Sequence, residues 1–405
     1  MTLDHRGGAQ LLISGSQVLT GEDMPPIQDG GVLIEGGRIK AVGKRTELAR
    51  ESGVEELHLP GASILPGLVD CHEHLVGRGR FSTGTESFDE PAAMWALVFA
   101  HYCRETLHRG VTTVRVPGAR DGVDLIARRA MQEGHLTGPR LICAGQPITM
   151  TGGHGHSLGI EADGPDACAR AARSQLASGA DFVKVMASGG VGVVRIGEDP
   201  THPELTIAEM RAVVEVTNAS GKTVAAHADG VVGIGNALEA GVHCIEHGIY
   251  LTPEQARFMA QHDRKLVPTL STMTAIAHKS EEFGLDPGWA EIAERILDIH
   301  RRSFEAALEA GVMYATGTDS YGDIVDEVAE FLTYGILPYR AIQAATRDAA
   351  LITNPSPGFG ALVPGQAADV IAVEGDPLDD VQRLRDVRLV VASGEIVRAE
   401  QAALA

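Results

Sequence analysis

The sequence predicts an α/β fold, a (β/α)8 TIM barrel with a small β-sandwich domain built from both termini. Three observations lead there. Residues 66–360 alternate amphipathic helical stretches with short apolar strands, and eight such strand units can be read off. Residues 1–65 and 361–405 are instead short strands punctuated by glycine turns. No glycine-rich phosphate loop follows the first strand of the middle region, a loop that an open doubly wound sheet would usually carry.

The N-terminal block contains LLISGSQVLTG, GGVLIEGGRIKAVG and GASILPG, and the second of these is two strands about a Gly-Gly turn. The middle begins with LPGLVDCHEHL. It continues with HRGVTTVRV, TGPRLICAG, ASGADFVKVMA, SGKTVAAHAD, EAGVHCIEHG, HDRKLVPTLST and EAGVMYATGTD. Strands alternating with helices imply parallel pairing through right-handed crossovers, and eight units imply a closed barrel. At the C-terminus GQAADVIAVEGDP and DVRLVVASGEIV return to the N-terminal pattern. The two ends are therefore expected to complete one composite domain, 1–65 with 361–405, beside a barrel of residues 66–360.

Bulk properties narrow the function. A chain of 405 residues, 44% hydrophobic, suits a large barrel with a companion domain. A net charge of −20 argues against nucleic acid as partner. No apolar run of 18 residues occurs, so no membrane association is expected. The five cysteines are odd in number, irregularly spaced and without C-x-x-C, which fits reduced thiols in a cytoplasmic protein. MTLDHRGGAQLLISG lacks the apolar core of a signal peptide.

The chemistry of a barrel lives at the C-terminal ends of its strands. The first strand runs into DCHEHL, which places His72 and His74 one residue apart and so on one face of an extended chain. Such a pair alone is more often two ordinary polar residues than a metal site. Further candidates end other strands: Lys184 in DFVKVMAS, His227 in TVAAHAD, His247 in HCIEHG and Asp319 in MYATGTDS. Singly, His227 or His247 would more often be a satisfied polar residue, and Asp319 a helix cap. Six such residues at one rim point to a site. Lys184 is the hardest to explain away, because a buried, unpaired ammonium costs several kcal/mol. Desolvation favours its neutral amine, which can add carbon dioxide. The resulting carbamate is an anion with two oxygens, able to bridge two divalent ions about 3.5–4 Å apart. Imidazole and carboxylate ligands suit zinc.

These motifs resemble the amidohydrolase superfamily over nearly the whole chain: DCHEHL, GADFVKVMASGG, AHAD, IEHG and TGTDS. Within it, TGGHGH at 151–156 and the D-F-V-K-V segment are most similar to the imidazolonepropionase-like subgroup. That subgroup includes Xaa-Pro dipeptidases, Xaa-Arg/Lys carboxypeptidases and ochratoxin-hydrolysing amidases. The resemblance implies His72, His74 and Asp319 on one metal, His227 and His247 on the other, and carboxylated Lys184 between them. It implies amide hydrolysis of a small molecule or short peptide by a metal-bridging hydroxide, with Asp319 as proton carrier. It also implies His154 as a substrate or transition-state contact and a homo-oligomeric assembly.

Substrate contacts are expected on the rim. His156 shares the TGGHGH loop with His154. Arg195, in the long segment 189–206, is a candidate for holding a carboxylate, although a solvated loop arginine is the commoner case. Tyr250, just after IEHG, is a candidate donor to an oxyanion. A mononuclear deaminase would share the histidines and the aspartate without needing Lys184. A lactone or carbamate hydrolase, or a peptide-trimming enzyme of natural-product biosynthesis, would use the same motifs. A non-catalytic scaffold on this fold would be expected to have lost ligands.

Overall fold

A computed structural model describes residues 10–50, 53–76, 90–191, 199–285, 287–354 and 356–400. The chain forms two compact units: Met1–Asp70 with Arg104–Thr113 and Val328–Ala405, and Cys71–Cys103 with Val114–Glu327.

In the first unit both ends of the chain build one eight-stranded sheet. Its order is Glu395–Ala399, Val387–Ala392, Val370–Glu374, Val54–Pro66, Gln10–Val18, Gly30–Glu35 and Arg38–Lys44, with the short strand Ile27–Gln28 beside Gln10–Val18. The seam between the termini is antiparallel, with Val370 opposite Pro66 and Ala372 opposite Ile64. Gly36 and Gly37, at φ 59° and 76°, make the predicted turn between two strands. Alternate residues such as Leu11, Ile13, Val32, Ile34, Ile64 and Val370 meet in one core, as the period of two in a strand requires.

All eight predicted strands of the middle region are present. Leu68–Asp70, Val111–Val116 and Arg140–Cys143 form a three-stranded sheet. Val183–Met186, Val224–Ala228, Cys244–His247, Lys265–Val267 and Met313–Tyr314 run in that order, all parallel, in a seven-stranded sheet. Its other two strands, Ile148–Thr149 and Ile160–Glu161, had no counterpart in the sequence reading. They are two residues each, and they flank the TGGHGH loop, so they fall below any useful periodicity window. Backbone bonds link strand ends of the two sheets, from Cys71 N–H to the Thr316 carbonyl (2.9 Å) and from Asp181 N–H to that of Cys143 (2.7 Å).

Capping boxes start two of the intervening helices. Thr206 and Glu209 exchange bonds ahead of Ile207–Asn218, and Thr252 and Gln255 do so ahead of Pro253–Gln261. Several of the strands between are buried along their whole length, as are Val183–Met186, Cys244–His247 and Val111–Val116. Parallel strands covered on both faces normally read as pure apolar runs. The charged residues in them, Lys184, Arg115 and Glu246, are therefore exceptions that need partners or chemistry. The five cysteines are free and buried. No described helix is long and apolar enough to cross a membrane.

Candidate metal centre

His72 and His74 follow the first strand directly. The Nδ1 of His72 lies 2.8 Å from Glu246 Oε2. An ionised carboxylate only accepts, so His72 carries its proton on Nδ1 and turns its Nε2 toward Asp319. His74 does the same through Nδ1–H and the Gly118 carbonyl, 2.7 Å away. Both Nε2 atoms stand 3.4 Å from one atom, Asp319 Oδ1. Two imidazole lone pairs and a carboxylate oxygen facing one point repel each other unless a cation or a proton lies between them. His72, His247 and Asp319 also bring ligand atoms within 4.8 Å of one another. This nitrogen-and-carboxylate set, with its imidazoles oriented from behind, fits a zinc-type ion.

The remaining imidazoles close the group. Ring centroids of His227 and His247 are 4.8 Å apart, as are those of His72 and His247. Burial, reinforced by neighbouring imidazoles and Lys184, holds His227 well below its usual pKa. Burial also lowers His247, against the opposing pull of Asp319. Neutral imidazole is the form that ligates a metal. Burial opposes ionisation of Asp319, but the surrounding histidines more than offset it and keep its pKa low.

Lys184 is 2% exposed. Burial lowers its pKa, while Glu246 and Asp319 pull the other way. Among the described residues its side chain makes no hydrogen bond or ion pair, and its charged neighbours act on it only through space. It is a buried lysine biased toward the neutral amine beside an array of candidate ligands.

Strained backbone surrounds this group. Leu75, His247, Thr269, Asp319 and Ser320 all have φ between 41° and 67°, a region that costs an ordinary residue about 1–2 kcal/mol. Specific bonds hold them there. Thr318 and Asp319 both donate N–H to the His72 carbonyl, at 2.9 and 2.7 Å. Glu73 accepts from the Thr318 hydroxyl (2.7 Å), from Ser320 N–H (3.1 Å) and from Leu75 N–H (2.7 Å). Glu327 accepts N–H from Leu270 and Ser271, next to Thr269. The His247 Nδ1 is 2.7 Å from the Thr269 hydroxyl.

His154 enters from the TGGHGH loop. Its ring stacks on that of His227, with centroids 4.0 Å apart and planes 20° from parallel. Its backbone N–H is donated to both oxygens of Glu204, at 2.9 and 2.8 Å. A cleft opens on this group and is lined by His74, His154, His227, His247 and Asp319, among others.

The other expected contacts lie elsewhere. His156 is not among the residues lining this cleft, and its Nδ1 is 3.9 Å from Glu161. Tyr250 packs against the apolar cluster around Ile249 and Trp289 rather than lining the cleft. Arg195 lies outside the described residues.

Sequence reasoning overlooked Glu246, Arg115 and Glu73. Arg115 Nη2 reaches both oxygens of Glu246, at 2.6 and 2.7 Å, and its Nε donates to the Cys71 carbonyl at 2.6 Å. Arg115 and Glu246 are 3% and 0% exposed. The signal was present in VTTVRV and HCIEHG. Each puts a charge inside an apolar strand, the same argument that singled out Lys184.

Known proteins resemble this chain in sequence and in fold. Residues 63–397 match the amidohydrolase family model, and residues 30–51 match the bacterial imidazolonepropionase-like composite domain. The chain is 28% identical to ochratoxinase of Aspergillus niger over 415 aligned residues, covering 94% of this chain and 85% of the relative. The crystal structure of that ochratoxinase superposes with a TM-score of 0.87 at 27% identity, covering 98% of this chain and 97% of the other. A prolidase complexed with N-methylphosphonate-L-proline also gives 0.87 at 27% identity, covering 97% of this chain and 100% of the other. A Xaa-Pro dipeptidase with methionine in its active site gives 0.86 at 28% identity, covering 96% and 100%.

Proposed function

The chain belongs to the amidohydrolase family and is a hydrolase of amide carbon–nitrogen bonds; we propose that it is a binuclear one, acting on a small N-acyl amino acid or dipeptide. The observation that carries this is the convergence of two imidazole Nε2 atoms on one oxygen of Asp319, with both Nδ1 atoms already committed. His72, His74 and Asp319 would hold one divalent ion, and His227 and His247 the other. Carboxylated Lys184 would bridge them. His247 also stands close to the first group, so it borders both positions.

When bound, two zinc ions would supply Lewis acidity toward the carbonyl and acidify a bridging water to hydroxide near neutral pH. The chain's own residues do the rest. Asp319 accepts a proton from the attacking water and returns it to the departing nitrogen. His154, above His227 in the cleft, donates a hydrogen bond to the carbonyl oxygen as charge develops there. Arg115 and Glu246 fix the tautomer and orientation of His72. Glu73 holds the strained turn that aims Asp319. No serine or cysteine nucleophile takes part.

The same proposal takes the two sheets of the middle region as one closed (β/α)8 barrel, residues 66–360, and residues 1–65 with 361–405 as a β-sandwich domain. It places the protein in the cytoplasm as a homo-oligomer.

The test is metal analysis of protein purified without chelator, joined to a screen of N-acyl amino acids and dipeptides for released amino acid. About two zinc equivalents per chain are expected, with turnover that a chelator abolishes and zinc restores. Full activity with one tightly held ion would sink the binuclear assignment.

A further inference from the structure

The cleft has a second component, which the proposed chemistry does not use. Val191, Met273, Ile276, Trp289 and Tyr321 line it together with the histidines. These five also belong to one contiguous hydrophobic cluster, against which Phe283 and Ile292 pack. The wall draws on separate parts of the chain: the segment after the fourth strand, the helix Leu270–Lys279, the long helix Pro287–Ala310 and the turn after Asp319. Its aromatic rings meet at angles, Tyr321 with Trp289 at 6.5 Å and with Phe283 at 5.8 Å between centroids. Tyr321 N–H donates to the Asp319 carbonyl at 2.8 Å. The wall therefore begins two residues from the carboxylate assigned to proton transfer, within reach of a group attached next to the scissile bond.

From this arrangement we infer that the cleft selects amides carrying a bulky, uncharged, apolar group, an aromatic ring in the best case. The inference rests on the amide-hydrolase proposal above and names its substrate class. Charge sharpens it. Among the described residues lining the cleft there is no lysine or arginine, so along the apolar wall an anionic substituent meets no basic side chain among them. A cationic substituent loses hydration against Met273, Ile276 and Trp289. Beyond Asp319, the acidic side chain it finds among the described lining residues is Asp229, whose Oδ2 already stands 3.5 Å from His227 Nε2. An apolar group has neither difficulty, and burying one favours its substrate by on the order of 10- to 100-fold over a substrate with hydrogen in its place.

The test compares dipeptides in both orders, Ala–Xaa and Xaa–Ala, with Xaa as Gly, Leu, Phe, Asp or Lys. In at least one order kcat/KM is expected to be 10-fold or more higher for Phe than for Gly, with Asp and Lys below Gly. Met273→Gln, which keeps the side-chain length, should lower kcat/KM for the Phe substrate several-fold more than for the Gly substrate. Trp289→Ala should do the same more strongly where it folds. Equal rates for Phe and Gly, or a preference for Lys or Asp, would overturn the inference. Calorimetric binding of N-acetylphenylalaninamide and N-acetylglycinamide separates this from the hydrolase proposal. If no amide is cleaved, 10-fold tighter binding of the phenyl compound still supports the pocket, and equal affinities refute it.

Discussion

The imidazole of His154 lies flat on that of His227, with ring centroids 4.0 Å apart. Gly190 also bounds the His154 ring closely. A Cβ placed on Gly190 would fall 2.6 Å from its Nδ1, which is closer than real side chains approach. His154 thus packs against both an imidazole and a bare Cα. Gly190→Ala is expected to expel the ring and lower kcat/KM as far as His154→Ala does, by on the order of 10²-fold if His154 serves as an oxyanion donor. The double variant should be no worse than either single one. Additive losses in steady-state kinetics would show that Gly190 acts on something other than His154.

Lys184 separates the binuclear mechanism from its rivals. Lys184→Ala should lose the metal pair and nearly all turnover while the melting temperature changes little, because many other apolar side chains form the core. Formate or acetate at high concentration is expected to restore part of the activity. Lys184→Arg should fail as well, since a guanidinium stays charged and cannot be carboxylated. Retention of two metals and most turnover by Lys184→Arg would refute the carbamate.

The Arg115–Glu246 pair stands behind His72. Glu246→Gln leaves the buried guanidinium without its counter-charge, a change that typically costs roughly 3–5 kcal/mol. It also replaces one carboxylate oxygen by an NH2 donor and so weakens the acceptor that sets the His72 tautomer, for which a 10- to 100-fold loss of metal affinity is typical. Competition against a chromogenic chelator measures the second effect, and denaturant unfolding the first. Unchanged zinc affinity in a folded Glu246→Gln protein would remove Glu246 from the metal-supporting set.

Away from the site, Asp124 gives stability a pH dependence of its own. Its Oδ2 accepts from Gly145 N–H at 2.8 Å, and the side chain is fully buried. Burial, only partly offset by that hydrogen bond, pushes its carboxyl from 3.8 up to about 6. A raised folded-state pKa means that the contribution is fully present below the unfolded value, near pH 4, and is lost as pH rises through about 6. Asp124→Asn, which never ionises, should match the parent near pH 4. It should become the more stable protein above pH 6, by up to about 3 kcal/mol. Melting curves across that window check this, and a difference independent of pH would contradict it.

What the sequence determined by itself is the inventory. Period-two runs bounded by glycine located the terminal strands, and the repeated helix–Gly–strand unit located all eight strands of the middle region. The same reading expected His72, His74, Lys184, His227, His247 and Asp319 at strand ends, because side-chain direction is a local property; in the folded chain Lys184 is instead the second residue of Val183–Met186, and Asp319 lies five residues past Met313–Tyr314. The tertiary structure alone decided how these residues are held. Glu246 lies 174 positions from the His72 that it orients, Thr318 lies 245 from Glu73, and Glu204 lies 50 from the His154 backbone that it clamps. Such pairings depend on which strand ends become neighbours, and no local pattern of residues encodes that. The left-handed backbone at Leu75, His247, Thr269, Asp319 and Ser320 was equally illegible, since none of these residues prefers it and only the bonds formed around them in the folded chain sustain it.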